Sequence, residues 1–159
     1  MNQQTTNENI QELTITRVFN ANRELVFKMW TEPEHLSKWY GPKGFSVAGC
    51  EIDLKPNGAF NIDMKRPDGQ IYPTKGVFRE ISPPEKLVFS LLSHFDDQNK
   101  PQVEMLNNLT FIEENGKTKM TMHIVEVKTI SGVVPLKGLD FAWNQSFDKL
   151  SEALSEKIY

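Results

Sequence analysis

Apolar and polar residues alternate along most of this chain, and the period changes once near the end. Leu13, Ile15, Arg17 and Phe19 share one parity, Thr14, Thr16 and Val18 the other, which predicts a strand. Leu25, Val26, Met29 and Trp30 then fall at helical spacing, with Asn20 or Asn22 available as N-cap. Pro33 suits the first turn of a second short helix carrying Leu36, Trp39 and Tyr40, and Gly41-Pro42 stops it. After Phe45 the period is two for about eighty residues. Strands are predicted at Ser46–Leu54, Phe60–Lys65, Ile71–Ile81, Leu87–Leu92, Val103–Ile112 and Thr118–Val127. Lys55-Pro56-Asn57-Gly58, Pro67-Asp68-Gly69, Ser82-Pro83-Pro84 and Glu114-Asn115-Gly116-Lys117 punctuate them, and 95–102 reads as a polar loop. Such short turns make neighbouring strands antiparallel.

The last segment switches to a helical period. Leu136, Leu139, Trp143, Phe147, Leu150, Leu154 and Ile158 step by three or four. A helix from Leu136 to Lys157 would be roughly 33 Å long at 1.5 Å per residue. A solitary helix with so bulky an apolar stripe needs a large concave partner, and the sheet is the only candidate. The expected architecture is α+β, in the order βααββββββα. A curved antiparallel sheet wraps around the long C-terminal helix, with two short helices tucked beneath.

The chain has 159 residues and a net charge of −3. That length suits one domain with a real core. Residues 1–11 read as a flexible polar N-terminus and 12–159 as a single domain. Lys and Arg are scattered, so no nucleic-acid partner is expected. No apolar run approaches the ~20 residues of a membrane span, and MNQQTTNENIQ lacks the features of a signal peptide. One cysteine, Cys50, forms no internal disulfide. A cytoplasmic protein without membrane insertion is the expectation.

The order of elements, with these residues, resembles the helix-grip fold of the START and Bet v 1-like superfamily (SRPBCC). More narrowly it is similar to the activator of Hsp90 ATPase homologue 1-like family of small bacterial proteins. The resemblance rests on Arg17-Val18-Phe19-Asn20-Ala21, Leu25-Val26-Phe27, Trp30-Thr31-Glu32-Pro33-Glu34 and Trp39-Tyr40-Gly41-Pro42. Further along it rests on Asp53 to Gly58, Gly76 to Ile81 and Pro83 to Phe89. It spans roughly residues 12–157. One departure is Ala142, where the family's last helix usually carries Gly before its Trp. The resemblance implies a fold and a cavity. The superfamily includes lipid carriers, hormone receptors, polyketide cyclases and co-chaperone domains, and fold alone does not choose among them.

Motifs for catalysis are sparse. His35, His94 and His123 show no paired ligand spacing, so no metal and no cofactor is expected. His35 reads as solvated and His123 as outward-facing. His94 reads as an exposed loop residue, with a cavity mouth as the alternative. No GxSxG elbow, phosphate loop or dinucleotide fingerprint occurs. Cys50 reads as an inert core thiol. Asp96-Asp97 and Glu113-Glu114 fall in turns, where solvation explains them. Tyr72, Thr74 and Asn107 are polar groups of inward parity, suited to a cavity or to structural hydrogen bonds.

The apolar residues point elsewhere. Trp39 stands in the aromatic segment after Pro33. Phe60, Met64, Phe89 and Leu91 have the parity to face the long helix. So do Met105, Leu109 and Met122, while Trp143 and Phe147 lie on the helix itself. With Tyr72 they make the expected ligand-binding set; no catalytic residue is assigned. A sheet bent round one helix leaves space for a small hydrophobic or amphipathic molecule. Two alternatives stand beside that reading: a cyclase- or hydrolase-like enzyme acting on a polyketide-like substrate through Tyr72 or His94, and a stress-related chaperone partner. Association of two copies as a homodimer is a further option that the sequence leaves open.

Overall fold

The computed structural model describes residues 11–130 and 136–159. The N-terminal segment 1–11 lies outside these residues except for Gln11, whose carbonyl accepts from Glu126 N. Strand β1 (Glu12–Phe19) is followed by α1 (Arg23–Thr31) and α2 (Pro33–Leu36). Six strands follow: β2 (Ser46–Ile52), β3 (Phe60–Lys65), β4 (Ile71–Ser82), β5 (Lys86–Phe95), β6 (Pro101–Glu114) and β7 (Lys117–Thr129). The chain ends in α3 (Leu136–Ser155). The strands form one seven-stranded antiparallel sheet, ordered β1-β7-β6-β5-β4-β3-β2. This is the helix-grip α+β architecture.

Local chemistry accounts for these elements. The Asn22 side chain accepts from Leu25 N at 2.9 Å and caps α1, and Pro33 opens α2. Asn115 and Gly116 both have positive φ, as a two-residue hairpin turn requires, and they fix the β6–β7 register. The register shifts between Val47 and Gly49, between Phe78 and Glu80, and between Glu104 and Met105. Such bulges bend strands and increase twist, which curls the sheet around its contents. Gly76 is required by close approach: a Cβ there would lie 2.6 Å from Ser90 O and 2.8 Å from Phe60 O.

Three expectations are corrected. The 95–102 loop is shorter, because β5 runs on to Phe95 and β6 begins at Pro101. The helix ends at Ser155: Lys157 adopts φ 57°, and Ile158 lies outside the helix, half exposed. The apolar period continues past the point where the backbone turns away. Glu113 is not merely solvated in a turn; it lies in β6 and its Oε1 accepts from Arg23 N at 2.9 Å, serving the start of α1.

The core lies between the concave face of the sheet and α3. Phe19, Phe60, Phe78, Leu87, Phe89, Leu109, Met120, Met122 and Ile124 face it from the strands, all fully buried. Phe147 and Leu150 meet them from α3. Trp30 and Trp39 fill the middle. Their ring centroids are 4.8 Å apart, and Trp30 also lies 6.0 Å from both Phe89 and Phe147. Trp39 donates its indole N–H to Met29 O at 2.9 Å, so its polar edge is satisfied inside the core. Arg17 ties α3 to β1, with Nη2 2.9 Å from Asp148 Oδ1. No described helix is long and apolar enough to cross a membrane.

Candidate functional site

The core does not fill the whole space under α3. A cavity of about 420 Å³ opens between the N-terminal half of that helix and the adjacent ends of β3 to β6. This lies in the range of small-molecule sites. Its walls are largely apolar. Leu91, Met105 and Val103 line it from the sheet, Leu139 and Trp143 from the helix, and Met64 from β3. The helix gives room by placing small residues at four-residue spacing: Gly138, Ala142 and Ser146 all line the cavity.

One wall is the segment that follows α2. Tyr40, Gly41, Pro42 and Phe45 border the cavity, and Gly41 has φ +108°. Lys149 holds this wall against α3. Its Nζ donates to Gly41 O and Phe45 O, both at 3.0 Å. Burial lowers the Lys149 pKa, and the carbonyls take the place of lost water. Gln145 adds a second tie, accepting from Lys43 N at 3.2 Å.

The polar groups gather on β4, β5 and β6. Tyr72 Oη lies 3.1 Å from His94 Nδ1, and Ser93 Oγ lies 2.9 Å from the same nitrogen. By strand alternation Ser93 points inward and His94 outward. His94, however, has φ 57°, and this left-handed residue breaks the alternation so that both side chains line the cavity. A non-glycine residue in that region carries strain, which persists where the surroundings impose it. Burial lowers the His94 pKa, favouring the neutral ring, and raises that of Tyr72. Thr74 spends its hydroxyl proton on Ile62 O at 2.9 Å, and Asn107 donates to Phe89 O at 3.3 Å.

The structure divides the residues expected from the sequence to bind a ligand. Met64, Tyr72, Leu91, Met105 and Trp143 line the cavity. Trp39, Phe60, Phe89, Leu109, Met122 and Phe147 do not. They are fully buried in the packed core, where inward parity is shared but free space is not. Parity tells which face a side chain takes and says nothing of position along the strand. Tyr40, Phe45 and the small residues of α3 line the cavity without having been singled out for it. For the last group the sequence offers only the small side chains of Gly138 and Ala142 on an otherwise bulky helix.

His94 is corrected from an exposed loop residue to a cavity residue. His35 is not solvated: it is half buried, its Nε2 is 3.1 Å from Glu32 Oε1, and its Nδ1 has no partner among the described residues. Cys50 is half buried on edge strand β2 rather than in the core, and burial raises its pKa. His123 faces outward and pairs with Glu12 at 2.7 Å. Among the described residues no group of three or more His, Cys, Asp or Glu is arranged to hold a metal ion.

A family model described as "Activator of Hsp90 ATPase homolog 1-like protein" matches residues 20–155. A crystal structure of a Nitrosomonas europaea protein is 28% identical, with a TM-score of 0.77 over 93% of this chain and 97% of that one. A Chromobacterium violaceum protein is 23% identical, TM-score 0.78, over 90% and 96%. A protein of this family from Silicibacter pomeroyi is 21% identical, TM-score 0.73, over 92% and 99%. The last two likenesses bear on the fold alone. No curated protein matches the sequence. With the family model covering most of the chain, this protein belongs to the activator of Hsp90 ATPase homologue 1-like family, within the SRPBCC superfamily.

Proposed function

We propose that this protein binds a small hydrophobic or amphipathic molecule in the cavity between the sheet and α3. The observation that carries this reading is the unfilled, mainly apolar space beside a fully packed aromatic core. Protein interiors are normally filled to the density of organic crystals. Here Gly138, Ala142 and Ser146 stand where larger apolar residues would close the gap. Apolar burial contributes about 25 cal/mol per Å² before ordering costs, so micromolar affinity is expected.

Titration with Nile red, followed by its displacement with octylbenzene, tests the reading. Saturable binding that Ala142→Leu abolishes supports it. Absence of binding to the folded wild-type protein would sink it.

A second reading, an enzyme acting on a polyketide-like substrate, draws on the Tyr72–His94 pair, which sets an acid and a base at hydrogen-bond distance in an apolar site. Product analysis after incubation with polyketide-like ketones tests it, and conversion that collapses in Tyr72→Phe would promote it. The chaperone-partner reading rests on the family description alone.

A further inference from the structure

The polar groups of the cavity are not all spent, and those left over define what the cavity accepts. This step rests on reading the cavity as a binding site. Tyr40 is 3% exposed and lines the cavity, yet its hydroxyl makes no hydrogen bond to the described residues. The oxygen is not sealed inside the protein, since among the described residues the buried side-chain polar atom left without a partner is His35 Nδ1; the hydroxyl opens onto the cavity, where its proton is free for a ligand. Tyr72, Ser93 and neutral His94 can place their three protons among themselves, because Tyr72 Oη reaches both ring nitrogens of His94 and also bonds Ser93, while Ser93 Oγ reaches His94 Nδ1. Thr74 and Ser146 have given their protons to Ile62 O and Ala142 O.

Charge narrows the choice further. Arg66 is the one ionic group lining the cavity among the described residues. Its side chain is 48% exposed and its Nη2 lies 3.8 Å from Asp68 Oδ2. A half-exposed guanidinium already facing a carboxylate offers an anion little. No buried cation waits inside, and an uncompensated buried carboxylate is costly.

We infer that the cavity takes an uncharged molecule with an apolar body and a carbonyl oxygen, which accepts a hydrogen bond from the Tyr40 hydroxyl. Such ligands are aryl or alkyl ketones, esters and lactones, in preference to fatty-acid anions or plain hydrocarbons. Tyr40 follows Trp39, whose ring is locked in the core by its bond to Met29 O, so the phenol is presented from a rigid support.

Three probes of similar size separate the possibilities: octanophenone, octylbenzene and 4-heptylbenzoate, each measured by displacement of Nile red. The ratio of ketone to hydrocarbon affinity is compared between wild type and Tyr40→Phe, which cancels differences in desolvation. The ratio is expected to fall about three- to tenfold in the variant, the value of one hydrogen bond, while octylbenzene binding stays within twofold. The carbonyl stretch of octanophenone bound to wild-type protein should lie below its frequency in hexane; this reading needs no variant and decides the matter should Tyr40→Phe fail to fold. An unchanged ratio overturns the role of Tyr40. An unshifted carbonyl band, as when the hydroxyl holds a water instead, overturns the head-group inference. Tighter binding of 4-heptylbenzoate than of octanophenone overturns the preference for an uncharged ligand. If octylbenzene binds and octanophenone does not, only this inference falls; if no probe binds, the cavity reading falls and takes this inference with it.

Discussion

The space beneath α3 has two halves built from the same elements. On β5, Leu87 and Phe89 lie in the packed half, while Leu91 and Ser93 face the cavity. On β6, Leu109 and Phe111 are packed, while Val103, Met105 and Asn107 face the cavity. On α3, Phe147, Leu150 and Leu154 are packed, whereas Gly138, Ala142 and Ser146 face the cavity. Side-chain volume, more than the course of the backbone, distinguishes the halves. Where rings meet rings, no space is left: Phe60 and Phe89 have centroids 4.4 Å apart. Where small residues on the helix face medium-sized ones on the sheet, space remains. Trp143 sits at the boundary, stacked on Phe147 at 5.5 Å and bordering the cavity with the rest of its ring. The packed half supplies stability that leaves the other half free to stay open.

The sharpest way to break this division is to hollow out the packed half. Trp30→Ala removes a fully buried indole touching Trp39, Phe89, Trp143 and Phe147. The expected cost is about 3–5 kcal/mol in urea melts. A loss below 1 kcal/mol would show that the aromatic cluster is not what stabilises the domain.

A smaller effect is expected at the wall of the open half. Lys149→Met keeps the apolar stem and removes the ammonium that holds Gly41 O and Phe45 O. Carbonyls left with poorer partners predict a loss of about 1–2 kcal/mol. The wall should also loosen, so Nile red should dissociate faster in stopped-flow measurements. An unchanged off-rate would show that the wall keeps its place without Lys149.

Most of this fold was legible in the sequence, and most of the site was not. Strand period, turn residues and the stripe from Leu139 to Leu154 are local signals, so they indicated seven strands, three helices and the element order. The site depends on which end of each inward row is filled, a long-range property. Phe89 and Leu91 have the same parity and similar hydrophobicity, yet one is core and the other cavity wall. His94 illustrates a second limit. Its ring enters the cavity because of a positive φ that no local motif announces. Tyr40 illustrates a third: it was read as part of an aromatic face, while its unpartnered hydroxyl emerges only from the assembled structure. The sequence did carry one hint of the open half, in the small residues Gly138 and Ala142 on an otherwise bulky helix.

Filling the open half should sharpen the comparison at little cost to stability. Ala142→Leu leaves helix propensity almost unchanged and directs its added atoms into free space. Urea melts are expected within about 1 kcal/mol of wild type, in either direction. Nile red affinity should fall at least about tenfold, equivalent to about 1.4 kcal/mol of binding energy. A large destabilisation with binding retained would mean that the helix packs more tightly over the cavity than the structure shows.

The smallest expected effect is a pH dependence localised in the open half. Burial beside Tyr72 and Ser93 holds the His94 pKa below its ordinary 6.5 in the folded protein. The unfolded chain, with His94 in water, takes up a proton near pH 6.5. Below that pH the unfolded state therefore binds more protons than the folded one, and acid favours unfolding. The contribution of His94 is fully present above pH 6.5 and is lost as pH falls through the folded-state value. No such dependence arises from Trp30, Phe89 or Phe147, which carry no titrating group, so the packed half is silent here. Urea melts at intervals from pH 8 to pH 5 should show wild-type stability declining below about 6.5. His94→Asn, which tolerates a positive φ, should show a shallower decline over the same interval. Parallel profiles for the two proteins would mean that the His94 ring is as well hydrated as in the unfolded chain, and that the polar end of the cavity is open to water rather than shielded by the walls around it.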